Sequence, residues 1–242
     1  MQARLAALCS GILILSAALY GQDGVASPAS SHSQEKPAIQ SGRILKIFPA
    51  YGVVDSSTEP VLPLTPHDKF VLSLHGGVDP FNLLVAGTNA GIEQAADIFP
   101  GYGQGAEGYG KRFGASLADQ ASNSLFKNFV FPVLLREDPR YFRRDQGTFG
   151  RRFGYAITRV VVTRRDSRAM SLNFSRLFGS LVSSAIANVY YPASDRGAGS
   201  TFTRVGIAFG TDAGFNVISE FGPDFARKIL PKSRVNRTNN RF

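Results

Sequence analysis

DPFNLLVAGTNAGIEQAADIF, residues 79–99, is the stretch on which the fold class turns. Asp79 offers a capping carboxylate and Pro80 a pre-set φ for the first helical turn, where a missing N–H costs nothing. Pro100 follows the last residue, so the stretch predicts a helix ending before it. Inside it Gly87 and Gly91 lie four apart, on one face of such a helix.

The same punctuation recurs on both sides. Thr65-Pro66-His67-Asp68 sets a capping hydroxyl before a first-turn proline, with a carboxylate three residues after the cap. Residues 101–110 hold five glycines and read as a loop that frays into a helix over 111–131, stopped by Pro132. Asn173 caps the next helix, which Pro192 stops. Residues 201–221 form another, and Gly222-Pro223-Asp224 is expected to break it and start a short last helix. Arg227 and Lys228 suit that helix's negative end. The pattern predicts a mainly α fold, a single compact helical bundle over 67–232. The competing β reading rests on the alternation in residues 155–163, YAITRVVVT, and on the terminal Phe242. A transmembrane barrel would need many such segments.

Small side chains recur at a spacing of four: Gly87 and Gly91; Gly110, Gly114 and Ala118; Ser175, Gly179, Ser183 and Ala187; Gly206, Gly210 and Gly214. A stripe without bulk lets two helix backbones come close. Glycine inside a helix costs about 1 kcal/mol relative to alanine, so these seams imply a compensating packing gain. Leucine at Gly210 is expected to overpack such a seam. Asn82, Asn89, Glu93, Asp97, Asp119, Asn173, Asn188, Asp212 and Asn216 interrupt the segments, which favours a soluble or surface-bound bundle over spanning helices.

The amino end reads as a compartment signal. Arg4 precedes an apolar run over 5–19, and Gly24-Val25-Ala26 offers small residues for cleavage after Ala26 (or earlier, near Gly21), the layout of a secretory signal peptide over 1–26. Residues 27–41 read as a disordered leader and 42–66, with four prolines, as an extended arm pinned by Ile44, Leu45, Ile47, Phe48 and Tyr51. Residues 233–242 read as a loose basic tail. Cys9 is the single cysteine and lies within the signal, so the mature chain offers no thiol, no disulfide partner and no thiolate metal site. The expected location is the periplasm or the outer membrane.

Little of the sequence points to catalysis. His67 and His75 stand eight apart, a poor spacing for one metal ion, and no cofactor or metal is expected. Residues 101–110 lack the Lys-Ser/Thr ending of a phosphate loop. Glu107, Asp119 and Asp138 are the carboxylates a rival reading would use, that of a hydrolase or lyase acting on an envelope polymer.

The strongest chemical signal is basic. The net charge is +9, and ten arginines lie between Arg136 and Arg168. Their planar forks bind phosphate or carboxylate in two-pronged fashion and stack on rings, which Phe142, Phe149, Phe153 and Tyr155 supply. Arg140, Arg143, Arg144, Arg151, Arg152, Arg159, Arg164 and Arg165 are the anion-binding candidates. Their internal alternative is to clamp Asp119, Asp212, Glu220 and helix C-termini.

The ordered motifs FPAYGVV, PLTPHDKF, GYGKRFGASLADQ, LLREDPRYFRR, RFGYAITRVVVTRRD, NFSRLFG, IANVYYP and EFGPDF resemble a family of exported proteins of unknown function common in soil bacteria. The resemblance runs from about Arg43 to Lys232. It implies export and one fold unit, and it supplies no catalytic residue. The reading that results is a non-enzymatic envelope protein that docks on an anionic lipid or envelope polymer. Self-association is left open, and nucleic acid is not expected of an exported chain.

Overall fold

The structure is a computed structural model that describes residues 43–44, 48–55 and 61–229. The signal, leader and tail, and the side chains of residues 44, 45, 47 and 48, lie outside the described residues. What is described is mainly helical. The helices are α1 (Pro66–Val78), α2 (Pro80–Ala95), α3 (Gly105–Leu125), α4 (Phe131–Leu135), α5 (Phe149–Thr158), α6 (Phe174–Ala187) and α7 (Ala198–Ile229).

Local chemistry sets the helix starts. The Thr65 hydroxyl accepts from the Asp68 backbone N–H at 3.1 Å, and the Asp68 carboxylate accepts from the Thr65 N–H at 3.2 Å, a closed capping box before Pro66. Asp79 accepts from the Phe81 N–H at 2.7 Å, and Asn173 from the Arg176 N–H at 3.0 Å. Tyr51 reaches from the preceding segment to donate to Asp79 at 2.6 Å and stacks on His75.

Two proline readings need correction. Pro132 does not stop the third helix. A π-turn over Phe126–Val130 carries the chain from α3 into α4, and Pro132 falls in the first turn of α4, where its missing N–H is harmless. Pro223 lies inside α7, which runs unbroken for 32 residues. Beside that proline the carbonyl of Glu220 accepts from Arg143 Nε at 2.9 Å and Arg152 Nη2 at 2.7 Å. The N–H that Pro223 lacks would have met the Ser219 carbonyl, one residue before this one, so the two arginines bind α7 beside the proline and do not stand in for its missing donor.

The bundle is built around α3 and the π-turn. Helices α1, α2 and α6 pack on them, and α7 packs on α6 and α5. Short strands stitch the ends. β3 (Val53–Val54) pairs in parallel with β5 (Tyr141–Phe142). β4 (Glu137–Asp138), β6 (Val162–Arg165) and β7 (Met170–Leu172) form an antiparallel sheet. β1 (Arg43–Ile44) pairs with β2 (Phe48–Pro49). Residues 155–163, the candidate strand, divide between the end of α5, a turn and the start of β6. Strands of two to four residues fall well short of the nine to eleven or so that cross a bilayer. No helix among the described residues is long and apolar enough to cross one either.

The small-residue stripes divide. Ser175, Gly179, Ser183 and Ala187 form the buried face of α6. A Cβ added at Gly179 would stand 3.0 Å from the Lys127 backbone nitrogen and 3.1 Å from its Cα, so the bare glycine is what lets α6 meet the π-turn. Gly87 faces Tyr109, whose hydroxyl donates to the Gly87 carbonyl at 3.2 Å. The remaining seams are corrected: a Cβ at Gly91, Gly110, Gly114, Gly206, Gly210 or Gly214 would meet nothing within 4 Å among the described residues. Bulky neighbours do not reach these positions because the inward faces of the same helices carry the contacts.

Alanine at Gly179 should therefore destabilise the fold by about 1–3 kcal/mol through overpacking. Alanine at Gly210 should raise stability by up to about 1 kcal/mol, since it relieves the helical glycine cost without a clash. Denaturant unfolding of both variants checks the pair, and equal midpoints would contradict this packing.

Candidate functional site

The basic segment between α4 and α6 folds back on itself and splits its arginines into two groups. Three are internal. Arg140 pairs with Asp138 through Nη2 at 2.6 Å and donates to the Leu62 carbonyl at 2.7 Å, holding the preceding segment against the sheet. Arg143, 3% exposed, bridges Asp55 at 3.2 Å and Asp224 at 2.6 Å. Arg152 reaches Glu220 at 2.8 Å and Asp224 at 2.8 Å. Burial alone would raise the Asp224 carboxyl, but the hydrogen bonds from Arg143 and Arg152 overcome it and hold the group below its ordinary range.

Glu220 is the centre of this group. It is 0% exposed and its carboxylate accepts from the Tyr141 hydroxyl, the Arg144 backbone N–H and Arg152 Nε, all at 2.8–2.9 Å. Burial, and then the Glu220 contact, keep the Tyr141 phenol protonated far above its usual range. The internal alternative thus holds for Glu220. It fails for Asp212, which pairs with Lys127 at 3.0 Å and Arg176 at 3.2 Å, and for Asp119, which binds tyrosines.

The second group is Arg144, Arg151, Arg159, Arg164 and Arg165, none of which has a carboxylate partner within 4.0 Å among the described residues. The side chains of Arg144, Arg151 and Arg165 are exposed. Arg159 lies 4.7 Å over the Tyr155 ring and Arg164 4.3 Å over the Phe142 ring. Two recesses meet at Arg164 and Phe142. One is a shallow recess lined by Arg140, Arg159, Arg164 and Arg176 together with Asn173. The other adds Arg165 and Arg168. Arg176 lies outside the arginine-rich stretch, and the signal that points to it is its place three residues after the Asn173 cap.

The three carboxylates of the enzymatic reading are engaged separately. Glu107 forms a surface pair with Lys111 at 2.6 Å. Asp119 lies twelve positions further along α3, about 18 Å along the helix axis. It accepts from the Tyr190 hydroxyl at 2.5 Å and the Tyr191 hydroxyl at 2.8 Å. Burial raises the Asp119 carboxyl, and the two phenols and Arg204 offset that only in part. Asp138 is taken up by Arg140. Beside the Asp119 cluster, Arg112 is 0% exposed and donates to Gln94 and to the carbonyls of Ile98, Phe99 and Gly103. It fixes the turn in which Asp97 and Phe99 adopt left-handed backbone. His67 is exposed, and no group of three metal-ligating side chains occurs among the described residues.

Comparison with protein-family models, with curated proteins and with solved structures returns no match.

Removing the Glu220 carboxylate leaves Tyr141, the Arg144 N–H and Arg152 without their shared acceptor. Glu220→Ala should therefore lower stability by about 3–5 kcal/mol in denaturant unfolding. A loss below 1 kcal/mol would show that the cluster is dispensable. Alkaline titration tests the tyrosines, since the chain has no tryptophan to obscure tyrosinate absorbance. Burial, then the charge of Asp119, pushes the Tyr102 phenol from 10.0 up to about 12. With the folded value above the unfolded one, the contribution to stability is complete below about pH 10 and is lost as the pH rises towards 12. Tyr102→Phe should shrink that loss, and an unchanged pH profile would remove Tyr102 from the cause.

Proposed function

We propose that this chain is an exported, non-enzymatic docking protein of the cell envelope, and that α5 is its contact with an anionic lipid surface. The outward face of α5 carries the reading. Phe149, Phe153 and Ile157, four apart, form one exposed apolar stripe; Phe149 is 70% exposed. Arg151 sits on the same exposed arc across Gly150 and Gly154, and Arg144 precedes the helix, also exposed. Arg152 and Ala156 turn inward. A basic amphipathic helix with aromatic residues on its apolar face lies in the interface plane of a bilayer, its rings among the acyl chains and its cations at the head groups. The net charge of +9 draws such a surface towards anionic lipid.

Export is supported by the signal pattern over residues 1–26, which lies outside the described residues. The non-enzymatic reading is supported by the separate engagement of Glu107, Asp119 and Asp138. Arg143 and Arg152 drop out of the lipid-facing set because Glu220 and Asp224 already neutralise them.

Co-sedimentation with phosphatidylglycerol and phosphatidylcholine vesicles tests this. Arg144→Gln with Arg151→Gln removes two lipid-facing charges at about 1 kcal/mol each, so binding to the anionic vesicles should fall roughly 30-fold. Phe149→Ser should weaken what remains at high salt, where charges are screened. Folded variants that sediment like the parent would sink the reading.

A further inference from the structure

We infer that the recess walled by β5, β6 and the first turn of α6 is a binding site for a phosphate-class oxyanion, distinct from the α5 surface. Four guanidinium groups line it: Arg140, Arg159, Arg164 and Arg176. They come from the bend before β5, the turn after α5, β6 and the first turn of α6, so their convergence depends on the fold. No carboxylate lines it among the described residues.

The local charge does not cancel. Lys127 stands behind Arg176 on the shared carboxylate of Asp212. Asp138 takes up Arg140, and Glu137 accepts from the Ser175 N–H in the first turn of α6. Five cations, the four lining arginines and Lys127, therefore face three carboxylates, Asp138, Asp212 and Glu137, a surplus of two (5 − 3). A phosphate monoester or free phosphate carries about −1.5 to −2 at neutral pH and matches that surplus, whereas one carboxylate would leave half of it.

Hydrogen bonding points the same way. The Nε of Arg159 is buried and has no hydrogen-bond partner among the described residues. Among the described residues its guanidinium meets the Met170 sulfur, at 3.7 Å, a weak contact. A buried charged donor left unpaired is costly, and a ligand oxygen would satisfy it. Arg164 is stacked on Phe142 and meets no carboxylate there, so its fork is held in place with donors to spare. Arginine forks held from several sides suit tetrahedral oxygens better than a flat surface.

Calorimetric titration of the full chain with inorganic phosphate, in a phosphate-free buffer of low ionic strength, tests the site. Saturable one-to-one binding is expected, with chloride at equal ionic strength unable to replace it. Arg159→Lys keeps the charge but deletes the Nε donor, and Arg164→Gln removes a cation; each should weaken binding by at least about tenfold. A rise in the parent's melting temperature with phosphate over chloride gives a second readout that needs no variant. Vesicles carrying phosphatidic acid separate the two sources of the group. If a lipid head group is the ligand, inorganic phosphate displaces the chain from them and Arg164→Gln weakens both interactions. If the ligand is soluble, vesicle binding is indifferent to phosphate and to that substitution. No saturable phosphate binding by the parent, or unchanged affinity in both folded variants, would overturn the site. The phosphate titration involves no membrane, so its failure and that of α5 docking are told apart.

Discussion

The buried carboxylate of Glu220 holds the basic half of the molecule together. It takes one hydrogen bond from each of three places: Tyr141 in β5, the backbone of Arg144 and the side chain of Arg152 in α5. Its own carbonyl receives Arg143 and Arg152 beside Pro223. One residue thus ties β5 and α5 to α7. Such a cluster adds little net stability over a well-packed apolar one, yet losing one member strands the others without solvent. The constraint is one of specificity: β5 and α5 can dock on α7 only where that carboxylate stands.

The interior follows a related logic. The largest fully buried side chains are polar, Arg112, Lys69, Glu137 and Glu220, and the buried apolar residues are mostly alanine and tyrosine. Leu84, Val189, Phe202 and Ile207 are exposed. Small inward faces bring the helices close, as at Gly179 against Lys127, and leave no room for large apolar side chains between them. The buried cations are then satisfied by backbone carbonyls and carboxylates. Lys69 reaches the Pro132 carbonyl at 3.1 Å and Asp166 at 2.8 Å, and so joins α1 to the loop between β6 and β7.

This arrangement sorts the arginines by geometry. Arg143 and Arg152 meet Glu220 and Asp224 and become part of the frame. Arg144 and Arg151, each the immediate neighbour of one of these, are exposed. Arg159 and Arg164 settle on aromatic rings at the edge of the recess, where Asp212 and Asp138 are already taken. A net positive charge becomes two separate surfaces, one flat and bordered by phenylalanine, the other recessed.

The sequence by itself determined the helical class, the starts of α1, α2 and α6, and the presence of an arginine-rich segment. Caps such as Thr65, Asp79 and Asn173 act within three residues of themselves, so their effect is local and legible. Pro132 and Pro223 misled because a π-turn leads into the one and α7 runs on through the other, packed against α5 and α6, and neither circumstance is visible from neighbouring residues. The spacing of four in Gly206, Gly210 and Gly214 matched that of Ser175, Gly179 and Ser183, yet one stripe lies open and the other is packed. Helical periodicity fixes which residues share a face, but only the tertiary structure decides which face turns inward. The same holds for the arginines: their number is written in the chain, while the choice between clamp and free donor depends on where Glu220, Asp224 and Asp212 arrive from far along it.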